Sequence, residues 1–282
     1  ILIAAVLTHI LMPAFKDLEE DEAVKDALRC TQTLADEISK ISAQCDDWAT
    51  WDDSYSFVID LNDDYQNANL AAETFATLNV DVMVFADTSA RVVWTGSSTD
   101  EGSLQQTVPE YIVSDGILAG KLIPDISHFS NSLQAHSSGI LHTVSHQEAF
   151  MLYAVRPIVN TNRTYEPRGY LFMGRHVTRE ALDQMRAQTQ VKFTLHKPGS
   201  LLNEWPEAEQ VEPSSVYGQT PNRDLMLIFS KFRSDLGGDA VVVRASLART
   251  ITKRGATLAL FAILATTGTI LISILLIAYL LH

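Results

Sequence analysis

The sequence predicts an α+β architecture: one long N-terminal stalk helix leading into an antiparallel sheet domain, flanked by two membrane-crossing helices, the first truncated. Three observations lead there. Residues 256–281 form an apolar run without a charged side chain, longer than the roughly 20 residues a bilayer-spanning helix needs. Residues 16–56 contain neither Gly nor Pro and repeat apolar positions at helical spacing. From residue 80 onward the pattern changes to short strand-like runs separated by turn residues.

Residues 1–15 are apolar apart from Thr8, His9 and Pro13. The stretch is too short to span and lacks the basic leader of a signal peptide. It is expected to be the outer end of a first membrane helix, which makes the chain an excerpt in which two spans enclose the region between. The run 256–281 is the second span; its Thr and Ser hydroxyls can bond back to their own helix.

In the stalk, 16–56, two heptad positions carry most of the pattern. Val24, Thr31, Ile38, Cys45 and Asp52 fall on one, and Ala27, Leu34, Ile41, Trp48 and Tyr55 on the other. A 3.5-residue repeat of this length is a coiled-coil seam or the face of a helix docked along another element. It predicts a homodimer through the stalk. Cys30 and Cys45 lie about 22 Å apart along such a helix at about 1.5 Å per residue, beyond disulfide reach. They are free thiols or pair with another chain.

At the far end of the stalk, Trp48, Trp51, Asp52 and Tyr55 share one helical face at i, i+3, i+4, i+7. A polar loop (61–69) and a short helix (70–78) follow. Runs 80–85 and 91–95 read as a hairpin across 86–90, and 107–123 as a helix near Pro109. Three strand-like runs come next (139–144, 150–159, 169–177), then a helix at 179–188. Further strands are expected at 191–196, 225–231 and 240–246, with 197–224, rich in Pro, Gly, Ser and Asn, as an ordered loop or insertion. The sheet domain is therefore placed at 57–248, a juxtamembrane segment at 249–255 and the second span at 256–281.

A formal charge of −13 disfavours a nucleic-acid partner and argues against a face lying on anionic lipid. No Gly-x-Ser-x-Gly, His-Glu-x-x-His, P-loop or Cys–His pairing occurs. His128, His136, His142 and His146 crowd one segment beside Glu148, but four residues of strand span about 13 Å, too far for one metal ion unless the chain turns. No metal and no cofactor are expected. Asn162-Arg163-Thr164 reads as a turn.

The element order resembles the fourth subfamily of CHASE sensor domains. So do three groups of residues: the Trp48-x-x-Trp51-Asp52-x-x-Tyr55 cluster continuing into Asn67-Ala68-Asn69-Leu70; Tyr153-Ala154-Val155-Arg156-Pro157-Ile158 with Gly169-Tyr170-Leu171-Phe172-Met173-Gly174-Arg175; and Arg249-x-Ile251-x-x-x-Gly255. One departure is Ala90 at the hairpin tip, where such domains often carry Gly. The resemblance implies a PAS- or Cache-like antiparallel sheet held outside the cytoplasmic membrane between two spans. It also implies a cytoplasmic output, in the first place modules that make or break cyclic-di-GMP, with a histidine kinase as the alternative. Arg249, Lys253 and Arg254, counted alone, place the domain in the cytoplasm; the resemblance places it outside.

Tyr153, Arg156 and Arg175 are candidate ligand-binding residues, since an Arg facing into a sheet's cup can clamp a carboxylate bidentately. Strand alternation gives Tyr153 and Arg156 opposite faces unless a bulge intervenes; both arginines can equally point outward and pair with acids. Asp52 is a candidate ligand contact or a cap for backbone N–H groups. Trp48, Trp51 and Tyr55 fix the stalk to the sheet, and Asn67, Arg249 and Gly255 are structural or signalling positions. The function expected is ligand sensing and signal transmission in a membrane receptor. A membrane-anchored enzyme using the carboxylates near Trp48, and a scaffold binding a partner through the stalk, are the alternatives.

Overall fold

A computed structural model describes residues 10–99, 102–106, 136–143, 150–210, 216–232 and 241–281. The expected helix at 107–123, together with His128, His146 and Glu148, lies outside the described residues. So do residues 1–9 of the expected first span; Ile10 and Leu11, just after them, are exposed.

The stalk helix α1 (Met12–Ala49) carries Pro13 in its first turn, where the missing N–H is harmless. It ends earlier than the pattern predicts. The Thr50 hydroxyl donates back to the carbonyls of Asp46 and Asp47, and the Ala49 carbonyl accepts the Val159 N–H at 2.9 Å. That carbonyl is thereby taken from the amide four residues on, Trp51 turns extended (φ −80°, ψ 138°), and a separate helix α2 (Asp52–Asp60) begins. The Trp48–Tyr55 face is therefore not continuous.

Beyond it, α3 (Asp63–Asn69) replaces the expected polar loop. Asn62 supplies the signal: its side-chain oxygen accepts the Tyr65 N–H at 2.8 Å as an N-cap. Helix α4 (Ala72–Leu78) follows.

The strands form two sheets, where the sequence suggests one sheet domain. The first contains β1 (Val82–Asp87), β2 (Val92–Ser98), β3 (Leu104–Gln105), β4 (Ser137–His142), β5 (Phe150–Ile158) and β6 (Gly169–His176), in the order β3-β2-β1-β6-β5-β4. All pairings are antiparallel, with β1 and β6 side by side in the centre. Helix α5 (Arg179–Thr189), capped by the Thr178 hydroxyl on the Ala181 N–H, leads into the second sheet. There β7 (Lys192–His196), β8 (Val216–Gln219), β9 (Leu225–Phe232) and β10 (Val241–Ala248) take the order β7-β10-β9-β8. The edge strand β8 and a 3₁₀ turn (Pro206–Gln210) lie inside the stretch read as a loop. Leu201, Trp205 and Ala208 earn that stretch its order by packing on Phe229 and Val242.

At the tip of the β1–β2 hairpin, the Asp87 carboxylate accepts the N–H groups of Ser89 and Arg91. Ala90 sits there at φ +62°, a left-handed conformation unfavourable by about 1–2 kcal/mol for a residue with a Cβ. Ala90→Gly is accordingly expected to raise stability by about 0.5–1 kcal/mol in denaturant unfolding.

One face of α1 runs along both sheets. Ala23, Ala27, Cys30, Leu34, Ile38, Ile41, Cys45 and Trp48 are all buried in a core shared with Leu152, Ala154, Leu171 and Met173 of the first sheet and Met226, Ile228, Val243 and Ala245 of the second. Burying a Leu or Ile here contributes about 1.5–3 kcal/mol each. The heptad seam is thus spent within the chain. Val24, on the seam as predicted, is exposed instead, as is Leu28.

The two cysteines carry free thiols and are fully buried. Cys45 sits between β5 and β6, its thiol 3.3 Å from the Leu171 carbonyl. Burial pushes the Cys45 thiol up to about 12, and burial with the nearby Asp26 carboxylate pushes Cys30 up to about 11. Both should resist alkylation in the native protein and react only on unfolding; rapid labelling of Cys45 in native conditions, measured by intact mass, would contradict its placement.

The last strand passes directly into α6 (Thr250–Leu280), a 31-residue helix whose apolar window has a mean hydropathy of 2.5 and is wholly unburied. Among the described residues it is the one helix long and apolar enough to cross a membrane.

Candidate functional site

Three carboxylates of the stalk, those of Glu19, Glu37 and Asp46, tie its otherwise apolar face to the rest of the fold. The lowest joins α1 to α6. Glu19 is 6% exposed, and its carboxylate accepts the N–H of Ile251 (3.0 Å) and of Thr252 (3.1 Å), the Thr252 hydroxyl (2.5 Å) and Arg249 Nε (3.0 Å). Those two amides are the second and third of α6, the ones an N-cap side chain satisfies. Arg249, at the cap position, has no acceptor to offer, so a carboxylate 230 positions away in sequence does the capping. Negative charge also suits the positive end of the helix. One turn below, Gly255 is buried against Phe15; a Cβ there would lie 2.4 Å from the phenyl ring. The sequence singles out Arg249 and Gly255 but not Glu19, hidden in an acidic run. Its signal is the i, i+4, i+8 alignment with Ala23 and Ala27.

The middle attachment is Glu37 with Arg175 of β6. Arg175 Nη2 donates to Glu37 Oε2 at 2.6 Å, both side chains nearly buried, and Lys40 holds the other oxygen at 2.5 Å. The upper one is Asp46. Arg163 Nη2 reaches its Oδ2 at 2.6 Å and Arg156 Nε its Oδ1 at 3.7 Å, while Arg156 Nη2 donates to the Ser42 hydroxyl. Arg156 Nη1 is buried with no hydrogen-bond partner among the described residues, a state that costs about 1–3 kcal/mol. These groups line a cleft of about 490 Å³ between α1 and β5, with His136, Thr50 and Val159 at its sides.

Burial pushes the Glu19 and Glu37 carboxyls up, but hydrogen bonds and charge from Thr252 and Arg249, and from Lys40 and Arg175, outweigh it and hold both below their ordinary value. A carboxyl depressed in the folded state contributes stability above its unfolded pKa and loses it as pH falls through the folded one. Both attachments should therefore hold at neutral pH and fail at acid pH. Unfolding free energy followed downward from neutral pH should fall less steeply in Glu19→Gln than in the parent chain.

The arginines and Tyr153 do not converge. Arg156 and Arg175 lie on the face that packs against α1. Tyr153, fully buried, lies on the opposite face with Phe172, ring centroids 6.3 Å apart, its hydroxyl 3.1 Å from that of Ser137. This is the separation that strand parity predicts. Asp52 accepts the Thr161 N–H at 2.9 Å and so caps the turn after β5. Trp48 stacks on Trp51 at 4.7 Å, and Tyr55 donates to the Glu166 carbonyl beneath the Arg168 guanidinium, 4.0 Å above its ring. The aromatic cluster thereby grips the turn 160–168. Asn160 Oδ1 holds the turn by accepting the N–H groups of Thr164 and Tyr165, which is where the Asn162-Arg163-Thr164 turn falls. Asn67 is exposed on α3, away from all of this. Among the described residues no three His, Cys, Asp or Glu side chains gather as a metal site.

The CHASE4 domain profile matches residues 33–196. This chain belongs to the CHASE4 domain family. The match covers the upper stalk, the first sheet, α5 and β7. The methanogenesis regulatory histidine kinase FilI of Methanothrix harundinacea (strain 6Ac) is 26% identical over 182 residues, 64% of this chain. Those residues span 19% of that kinase's length. Among solved structures, the extracellular domain of vpHK1S-Z8, described as a histidine kinase, is similar with a TM-score of 0.56 at 12% identity, covering 87% of this chain and 96% of that one. A domain from Vibrio parahaemolyticus, described as of the sensory box/GGDEF family, gives 0.55 at 10% identity, covering 84% and 98%. At such identities these two likenesses bear on the CHASE4 fold alone. Two of the three basic residues before α6 are paired with the sheet domain or stalk: Arg249 with Glu19 at 3.0 Å and Lys253 with Asp224 at 2.7 Å.

Proposed function

We propose that the chain senses a ligand outside the cytoplasmic membrane and passes the signal through α1 to α6, which crosses the bilayer. The observation that carries this reading is the capping of α6 by Glu19: the stalk, docked on both sheets, holds the first turn of the apolar helix directly. Any shift of α1 along the sheets is then a shift at the head of α6. Displacements of about 1–2 Å between helices suffice for such switching.

The output is a histidine kinase, the reading the FilI relative favours. A cyclic-di-GMP module is the second, favoured by the fold shared with the sensory box/GGDEF protein. Two copies pair through the exposed edge of α1 around Val24 and Leu28, not through Cys45. Leu28→Cys should then trap a dimer on oxidation, and a monomer under the same conditions would count against pairing there. For transmission, the chain fused in frame to a histidine kinase catalytic region is assayed in vesicles. Glu19→Gln should reset basal autophosphorylation several-fold while Glu20→Gln leaves it unchanged. Equal activity of all three chains would refute transmission through this contact.

A further inference from the structure

We infer that the cleft between α1 and β5 is a binding site for a small oxyanion, a carboxylate or phosphate, which enters by displacing Asp46 from its two arginines. Arg156 and Arg163 converge on it from β5 and from the following turn, with His136 at the rim, against the single carboxylate of Asp46 among its described lining residues. In a chain of net charge −13 this local balance is the reverse of the surroundings. The internal pairing is also lopsided. Asp46 is close to Arg163 (2.6 Å) and loose to Arg156 (3.7 Å), and Arg156 Nη1 is buried with no acceptor among the described residues.

With Asp46 displaced, one oxygen takes Arg156 Nε and another takes the Arg163 fork, the paired geometry that guanidinium groups favour. The volume of about 490 Å³ admits a molecule larger than the anion itself. The site lies on the opposite side of the sheet from Tyr153, so the two are independent. Its consequence rests on the sensor reading proposed above. Asp46 belongs to α1 and the arginines to β5 and the turn after it, so exchanging Asp46 for a free anion removes a polar tie between the upper stalk and that side of the sheet.

The test uses the 282-residue chain in detergent micelles, titrated with succinate, inorganic phosphate or chloride at matched ionic strength. Succinate or phosphate should raise the melting temperature saturably and chloride should not; which of the two acts identifies the headgroup. Arg163→Ala, a change at a half-exposed side chain, should weaken binding at least about tenfold. Asp46→Asn should tighten it by about tenfold by removing the internal competitor. No saturable response to either anion, or the same affinity in all three chains, overturns the site. Altered affinities alongside unchanged output of the kinase fusion overturn the sensor reading and leave the site standing.

Discussion

Glu19→Ala is expected to destabilise the chain by about 3–5 kcal/mol, the range for removing one partner of a buried ion pair. Three losses combine. Arg249, with its side chain 14% exposed, keeps its charge without a counter-ion. The Ile251 and Thr252 amides lose their acceptor, and the Thr252 hydroxyl loses its own. The Glu19→Gln chain retains a carbonyl for the two amides and should lose less, about 1–2 kcal/mol. Glu20, one residue on, makes an exposed pair with Lys16 at 3.5 Å. Its removal should stay within about 0.5 kcal/mol. Denaturant unfolding of the three variants in micelles checks the ranking, and equal losses at positions 19 and 20 would mean that Glu19 does not cap α6.

The second large effect is steric. Gly255 lets α6 approach α1 so closely that an added Cβ would lie 2.4, 2.7 and 2.9 Å from three atoms of the Phe15 ring. Gly255→Ala must push the helices apart or drive Phe15 off its rotamer, a loss of about 1–3 kcal/mol. Because the clash has one named partner, it has one named remedy. Phe15→Ala in the same chain vacates the space, and the double variant should be more stable than Gly255→Ala alone. Independent addition of the two losses would show that Phe15 is not what Gly255 accommodates. Since Phe15 and Glu19 lie one turn apart on α1, both variants should also alter the output of a kinase fusion.

Much of this arrangement is legible in the chain. The periodicity of Ala27, Leu34, Ile38 and Ile41 marks a docked face, and the charge-free run after Gly255 marks α6 by composition alone. Strand parity correctly separates Tyr153 from Arg156. The Ala90 departure marks a real left-handed position. What periodicity does not tell is whether a heptad face meets another copy or the chain's own sheets, because both need the same apolar stripe. Here Cys45, Ile41 and Leu34 are covered from within. The break after Ala49 is equally silent, since it depends on Val159, over a hundred residues away, taking a carbonyl that local rules assign to the helix. Glu19, Glu37 and Asp46 are hidden for a related reason: in so acidic a stalk, only the fold tells which carboxylates meet an arginine.

The account requires that the two ends of α1 communicate. Asp46 lies 27 residues beyond Glu19, about 40 Å along a helix rising about 1.5 Å per residue. The direct measurement is amide hydrogen exchange at Ile251 and Thr252 in the parent chain and in Asp46→Asn. Loosening the stalk at its far end should change protection at these two amides while the paired amides of β10 keep theirs. Identical exchange at Ile251 and Thr252 in both chains would contradict transmission along the stalk.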